Sequence, residues 1–394
     1  MDSSKKYILF VLLSFILGLI IGYGVSNFYK NRIKDNQIAS KSTNDLSKSD
    51  SIKIDEKNFQ WTKPLSTKKG FPIFNSETNV LSIFLIDSKE MKETEKKPLW
   101  GGGADGLGVS DSTPSPDLLY TVYIDKDTRG LKLLSNETFK ETDISLPGEK
   151  VSYISGWSPD SKKIIYDVGN QTLATRKEGM MPWEGIEKFP EDVTPGYILF
   201  NIETGKRKSL YPVGYFESFI DESRILVKAG DDEFMGKKYI VFNIDTFEAD
   251  YSYVKEEFGY GASQYTFSQD GSKWTYTLSR NPTEDANIIL ADFPNKEQIE
   301  VDKGGWADVQ FPFISPTGTK IAYWKKEGYI SDGVPRFTVW IYDTINKSKE
   351  KFVDGMVTRW IDDNTLIYRV QHKSVIDSTY YLLDLSTRKS LEMK

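Results

Sequence analysis

Trp157-SPDSKKIIY, Phe267-SQDGSKWTY and Ile314-SPTGTKIAY are three copies of one pattern in one frame, and they decide the fold. An apolar or aromatic anchor leads into a polar turn, and the turn into a run of β-forming residues. Phe219-IDESRILV and Trp360-IDDNTLIY repeat the pattern one residue shorter, and Pro114-SPDLLYTVY fits the first frame more loosely. The anchors at 114, 157, 219, 267, 314 and 360 lie 43, 62, 48, 47 and 46 residues apart. A second β run follows each turn, as in Gly196-YILFNIETG, Lys238-YIVFNIDTF, Asn287-IILADFPN, Phe337-TVWIYDTIN and Thr379-YYLLDLSTR. A short further run, such as Lys206-RKSL or Lys389-SLEM, completes the unit.

The turns between runs are rich in Asp, Asn and Gly, as hairpins require. Each unit therefore reads as three or four antiparallel strands in about 47 residues, the size of a propeller blade. So small a sheet cannot cover both of its faces, and the units must stack. Closing the stack into a ring removes its exposed edges. The pattern predicts an all-β fold, a β-propeller of four-stranded antiparallel blades. Six anchors favour six blades. Phe74-NSETNVLSIF, ahead of the first anchor, offers a seventh copy or a single closing strand, so seven blades is the alternative. A string of immunoglobulin-like sandwiches is excluded, since those need units of about 100 residues.

These copies resemble the TolB-like and WD40-like propeller repeat, whose blades carry an aromatic-Ser-Pro-Asp-Gly-Lys-apolar turn. Trp157-Ser-Pro-Asp-Ser-Lys-Lys-Ile and Ile314-Ser-Pro-Thr-Gly-Thr-Lys-Ile carry the resemblance most closely, over roughly residues 72–394. The same blade type forms the non-catalytic propeller of prolyl-oligopeptidase and dipeptidyl-peptidase IV-type enzymes. The resemblance implies the fold and leaves the activity open, because propellers host many functions.

Composition narrows the chemistry. The 394 residues include no Cys and one His, so a disulfide framework, a Cys-ligated metal, a thiol nucleophile and any two-imidazole site are excluded. With 51 Lys and Arg against 57 Asp and Glu, the chain is no broad nucleic-acid binder. The charge is uneven: nine basic and six acidic residues in the first sixty, 42 and 51 in the rest.

Residues 1–6 form a short tail. Tyr7 to Val25 (YILFVLLSFILGLIIGYGV) holds no charge and has the length a membrane-spanning helix needs. Without an Ala-x-Ala pattern it reads as an uncleaved signal-anchor rather than a removed signal peptide. Ser14, Gly18 and Gly22 recur every four residues, a small-residue face through which two copies could pair as a homodimer, although glycine is common in spans. Residues 26–70 are a polar stalk and 71–394 the propeller. Lys30, Arg32 and Lys34 beyond the span would favour a cytoplasmic domain. A long domain translocates largely regardless of such charges, so the propeller is expected outside the cell membrane.

Most candidate motifs dissolve on inspection. Trp100-GGGADGLG has a G-x-G-x-x-G spacing but neither the strand before nor the helix after that would turn it into a phosphate cradle. Asp125-Lys-Asp127-Thr-Arg-Gly130 lacks the further ligands of a calcium loop and reads as a turn. Ser268-Gln-Asp-Gly-Ser-Lys-Trp274 misses the sialidase Asp-box spacing. Gly261-Ala-Ser263-Gln-Tyr lacks the second Gly of a nucleophile elbow, and no α/β-hydrolase region accompanies the repeats, so a peptidase triad is not expected. His372 falls in a hairpin loop. The anchor aromatics Trp157, Phe219, Phe267 and Trp360 read as inter-blade core, and Asp160 and Asp270 as turn residues.

The 62-residue spacing is the informative irregularity. Its surplus lies in residues 170–195, which hold Met180, Met181 and Trp183. Insertions in repeat proteins map to one face, often the binding face. These three, with Trp100, are the candidate binding residues. No catalytic residue, metal or cofactor is expected. The chain reads first as a membrane-tethered, non-enzymatic module that binds an envelope protein or polymer. The second reading is a hydrolase or lyase acting on a glycan through carboxylates at the channel mouth.

Overall fold

In the computed structural model, residues 61–75, 78–99, 112–168, 196–210, 215–232, 236–257, 262–279, 285–293, 297–305, 309–331, 334–372 and 378–394 are described. They form seven antiparallel sheets, each built of consecutive strands. Blade 1 has three: β1 (Gly70–Asn75), β2 (Val80–Leu85) and β3 (Glu90–Glu93). Blade 2 comprises β4 (Ser112–Pro114), β5 (Tyr120–Ile124), β6 (Leu131–Ser135) and β7 (Glu141–Asp143). Blade 3 comprises β8 (Val151–Trp157), β9 (Lys163–Val168), β10 (Gly196–Asn201) and β11 (Arg207–Ser209). Blade 4 is β12 (Tyr215–Phe219), β13 (Arg224–Asp232), β14 (Gly236–Asn243) and β15 (Glu248–Glu257). Blade 5 is β16 (Ala262–Phe267), β17 (Lys273–Ser279), β18 (Asp285–Asp292) and β19 (Gln298–Gly305). Blade 6 is β20 (Val309–Ile314), β21 (Lys320–Ser331), β22 (Val334–Asp343) and β23 (Ser348–Asp354). Blade 7 is β24 (Met356–Trp360), β25 (Thr365–Gln371), β26 (Ser378–Asp384) and β27 (Lys389–Glu392).

Every anchor of the repeat is the last residue of the first strand of its blade. In blades 2, 3, 5 and 6 the turn after it is built by the recurring Ser. Ser158 Oγ accepts the Lys163 amide at 2.8 Å and donates to Asp160 at 2.6 Å. Ser268 does the same with Lys273 and Asp270, and Ser115 with Tyr120 and Asp117. In blade 6 the Asp is replaced by Thr317, and Asp363 of blade 7 accepts the Thr317 amide instead. The shorter frame uses another device: Asp221 and Asp362 accept two backbone amides each and close the turn one residue sooner.

Seven apolar clusters fill the gaps between neighbouring blades. Tyr120, Val122 and Ile124 of β5 meet Ile164 and Tyr166 of β9, whereas Tyr123 of β5 turns the other way to Leu81 and Ile83 of β2. Middle strands are thus buried on both faces, which is why they read as continuous apolar runs. Trp157 and Trp360 are buried between blades, and their indole N–H groups donate to the carbonyls of Thr113 and Phe313 one blade back. Phe219 is buried as well and Phe267 half-buried. The last cluster joins Phe71 and Phe84 of blade 1 to Ile367, Leu382 and Met393 of blade 7 and closes the ring.

The count is seven, the alternative to the six that the anchors favoured, and blade 1 shows why it was hard to read. The Gly70 amide donates to Leu118 in the turn after β4, and the Asn136 side chain donates to the Gly70 carbonyl. The chain leaves blade 1 at the other end, where Pro98 bridges Asp125. Its innermost strand therefore runs opposite to the other six, and an odd number of strands delivers the chain to the correct end for β4. The Phe74 hairpin does have the register of the repeat, Phe74 facing Leu81, but its turn lies at the opposite end. Before β1, residues 61–69 lie against blades 2 and 3: Trp61 Nε1 donates to Ile202, and Ser135 Oγ to Leu65.

Candidate functional site

The first strand of each blade faces the axis, and these strands carry a shared irregularity. The β8–β9 register slips between Ile154 and Gly156, and β12–β13 between Phe216 and Ser218. The slips of β16, β20 and β24 lie between Ser263 and Thr266, Gln310 and Phe313, and Val357 and Arg359. Each is a β-bulge about two residues before the anchor, and a bulge turns an extra side chain out of the ladder. Ser155, Glu217, Tyr265 and Thr358 stand at that position, and all four line one central cavity of about 1060 Å³.

Its wall is aromatic and polar at once. Phe216, Tyr265, Phe311, Trp324 and Tyr380 present rings, and Phe311, held at φ 53°, stacks on Trp324 at 5.1 Å. Five carboxylates line the cavity, but four are spent in the turns. Asp117 accepts from Ser115 and the Leu119 amide, and Asp160 from Ser158. Asp362 accepts from two amides of its own turn. Burial would raise the Asp363 carboxyl, yet hydrogen bonds from Ser315 and Thr317 hold it below the usual range.

Arg359, one residue before its anchor, is a half-buried cation on the cavity wall. Its Nη1 donates to the Pro114 carbonyl at 2.9 Å, tying blade 7 to blade 2. Burial pushes the guanidinium down to about 10, against the opposing charge of Asp117, so it stays fully charged at neutral pH. Among the described residues no carboxylate forms an ion pair with Arg359 or with Arg369, which also lines the cavity. The buried hydroxyls of Ser155 and Thr358 have no hydrogen-bond partner among the described residues.

The residues singled out from the sequence fall elsewhere. Trp100, Met180, Met181 and Trp183 lie outside the described residues, as do Ser14, Gly18 and Gly22. Val168 of β9 and Gly196 of β10, which flank the insertion in sequence, are register partners within blade 3. Asp125 accepts the Thr128 amide at 2.8 Å and forms the expected turn. His372 is exposed, with Nε2 2.8 Å from Thr379 Oγ1. Among the described residues no group of three His, Asp or Glu is placed to hold a metal ion, and no helix is long and apolar enough to cross a membrane. Arg359, Thr358 and Ser155 were missed. Their signal is positional: one or two residues ahead of each anchor.

No family model and no curated protein matches the chain. Solved structures do. Oligogalacturonate lyase from Vibrio parahaemolyticus aligns at 16% identity and TM-score 0.51, over 84% of this chain and 91% of that one. A puromycin-hydrolyzing peptidase from Mycobacterium tuberculosis aligns at 12% identity and TM-score 0.54, over 85% of this chain and 56% of the peptidase. TolB from Acinetobacter baumannii also matches, at 13% identity and TM-score 0.42, over 82% of this chain and 78% of TolB. At such identities the likeness is one of fold, not of chemistry.

Proposed function

We propose that this protein is a non-enzymatic binding propeller, anchored by residues 7–25 in a cell membrane and displayed outside it, which holds an envelope protein or polymer. The observation that carries the reading is the central cavity: five inner strands bulge about two residues before the anchor, and four of them turn the side chain at that position into one space of about 1060 Å³. A cavity of this size with convergent polar groups is the usual form of a binding site. The enzymatic reading needs a carboxylate free to move a proton, whereas four of the five lining acids are committed to turn amides and hydroxyls. The lyase and peptidase likenesses add no catalytic residue, for they extend to fold alone.

Photo-crosslinking of the full-length chain in intact membranes, followed by capture, tests this. Recovery of one envelope protein or polymer, competed by excess untagged chain, is expected. Recovery of none would count against the reading, as would a propeller protected from protease in spheroplasts.

A further inference from the structure

We infer that the central cavity holds a carboxylate site centred on Arg359, for a ligand that carries its carboxylate on a ring. The inference deepens the binding reading above and rests on it.

A guanidinium has five N–H donors. Arg359 spends one on the neutral carbonyl of Pro114 and meets no carboxylate among the described residues. Buried charges are ordinarily paired, because burial strips water that only an opposite charge replaces. Here that compensation is incomplete: burial lowers the guanidinium's proton affinity, and only the Asp117 charge works against it. Four of the acids that share the cavity do not close the gap, since Asp117, Asp160, Asp362 and Asp363 are held in turns. An anion entering the cavity would meet an unsatisfied cation.

Two further observations point the same way. Ser155 and Thr358 line the cavity on the bulges of β8 and β24, and their buried hydroxyls lack partners among the described residues. A buried hydroxyl without a partner is costly, and a ligand oxygen would satisfy it. The ligand class follows from the geometry of the groups. The planar fork of the Arg359 guanidinium matches the two coplanar oxygens of a carboxylate in a pair of parallel hydrogen bonds. The half-buried rings of Phe216 and Tyr380, on the wall of the same cavity, suit a sugar or aromatic ring beside that carboxylate.

Calorimetric titration of the full-length chain in neutral detergent, at constant ionic strength, tests the site. The probes are glucuronate, benzoate, acetate, inorganic phosphate and neutral glucose. Glucuronate or benzoate should bind saturably, more tightly than acetate or phosphate, and glucose should not bind. Arg359→Gln should weaken the carboxylate roughly tenfold or more, and Arg359→Lys less, because it keeps the charge and loses the fork. Arg359 also ties two blades together, so Ser155→Ala and Thr358→Val serve as variants that leave that tie intact. Each should weaken binding about threefold or more with a melting temperature that is unchanged or raised. No carboxylate binding, binding indifferent to all these changes, or tighter binding of phosphate would overturn the inference. Partner capture without carboxylate binding would overturn the site and spare the binding reading. Carboxylate binding without a captured partner would support the site and remove the partner.

Discussion

Gly271 and Gly318 occupy the fourth position of the Ser turn in blades 5 and 6, with φ of 67° and 72°. Leu118 and Ser161 hold the same position at 63° and 62°, so the turn geometry outranks the preference of the residue. The two glycines differ in their surroundings. A Cβ at Gly271 would lie 2.7 Å from the backbone oxygen of Ile220, whereas one at Gly318 would meet the flexible Lys273 side chain at 3.1 Å. Gly318→Ala should therefore cost only the left-handed penalty of about 1–2 kcal/mol, and Gly271→Ala clearly more. Urea midpoints of the two variants compare them directly. Asp167 makes a stability contribution that depends on pH. Burial pushes its carboxyl up to about 6, against a hydrogen bond from Ser152. The fold thus prefers the protonated form, so this group's contribution falls as pH rises from about 4 to about 6 and stays low above that. Asp167→Asn should flatten that decline and add about 1–2 kcal/mol at pH 7 in pH-resolved unfolding curves.

Between elements, the joint of blades 5 and 6 is built around Asp302 at the centre of β19. It is buried, accepts from Tyr323 at 2.8 Å and Lys349 at 2.6 Å, and has Lys325 at 3.4 Å. Burial alone would raise this carboxyl, but the Lys349 and Tyr323 hydrogen bonds and the Lys325 charge hold it below the usual range. Its contribution is complete above about pH 4 and is lost as pH falls through the lowered value. Asp302→Ala strands the Tyr323 hydroxyl and should cost about 1–3 kcal/mol, with less of the acid-side loss that the parent chain shows. The inner-strand bulges belong to this scale too. They are five departures at one position, and they set which side chains reach the axis. Part of this was open to a sequence reading. The anchors marked the ends of the inner strands, so the two positions ahead of each anchor mark the wall of the cavity. What spacing could not show is that Arg359 arrives there without a carboxylate, because its neighbours come from blades 240 or so residues away along the chain.

The ring as a whole is closed by side chains. Each described sheet consists of consecutive strands, so blade 1 is not completed by a strand from the far end of the chain. Phe71 and Phe84 meet Ile367, Leu382 and Met393 across the seam. Met393→Ala should cost about 2–5 kcal/mol, the usual loss for a buried side chain of that size, although it lies one residue from the last. Hydrogen exchange should show β1 and β27 opening before β21 and β22 of blade 6, since each is an edge strand of its sheet and β21 and β22 are paired on both sides. Protection of β1 and β27 equal to that of β21 would contradict this.

The repeat determined the all-β class, the blade and its period, because a turn that satisfies its own amides with Ser and Asp is a local device written in a few consecutive residues. Local rules also identified the Asp125 turn and the inter-blade role of the anchor tryptophans. Tertiary structure alone decided the seventh blade and its reversed direction. The number of blades depends on how many sheets close a circle, and blade 1 meets that need with three strands and no motif at the shared end. Tertiary structure alone also decided the character of the cavity. Whether a cation is paired depends on which distant carboxylates reach it, and here they are held in turns of their own.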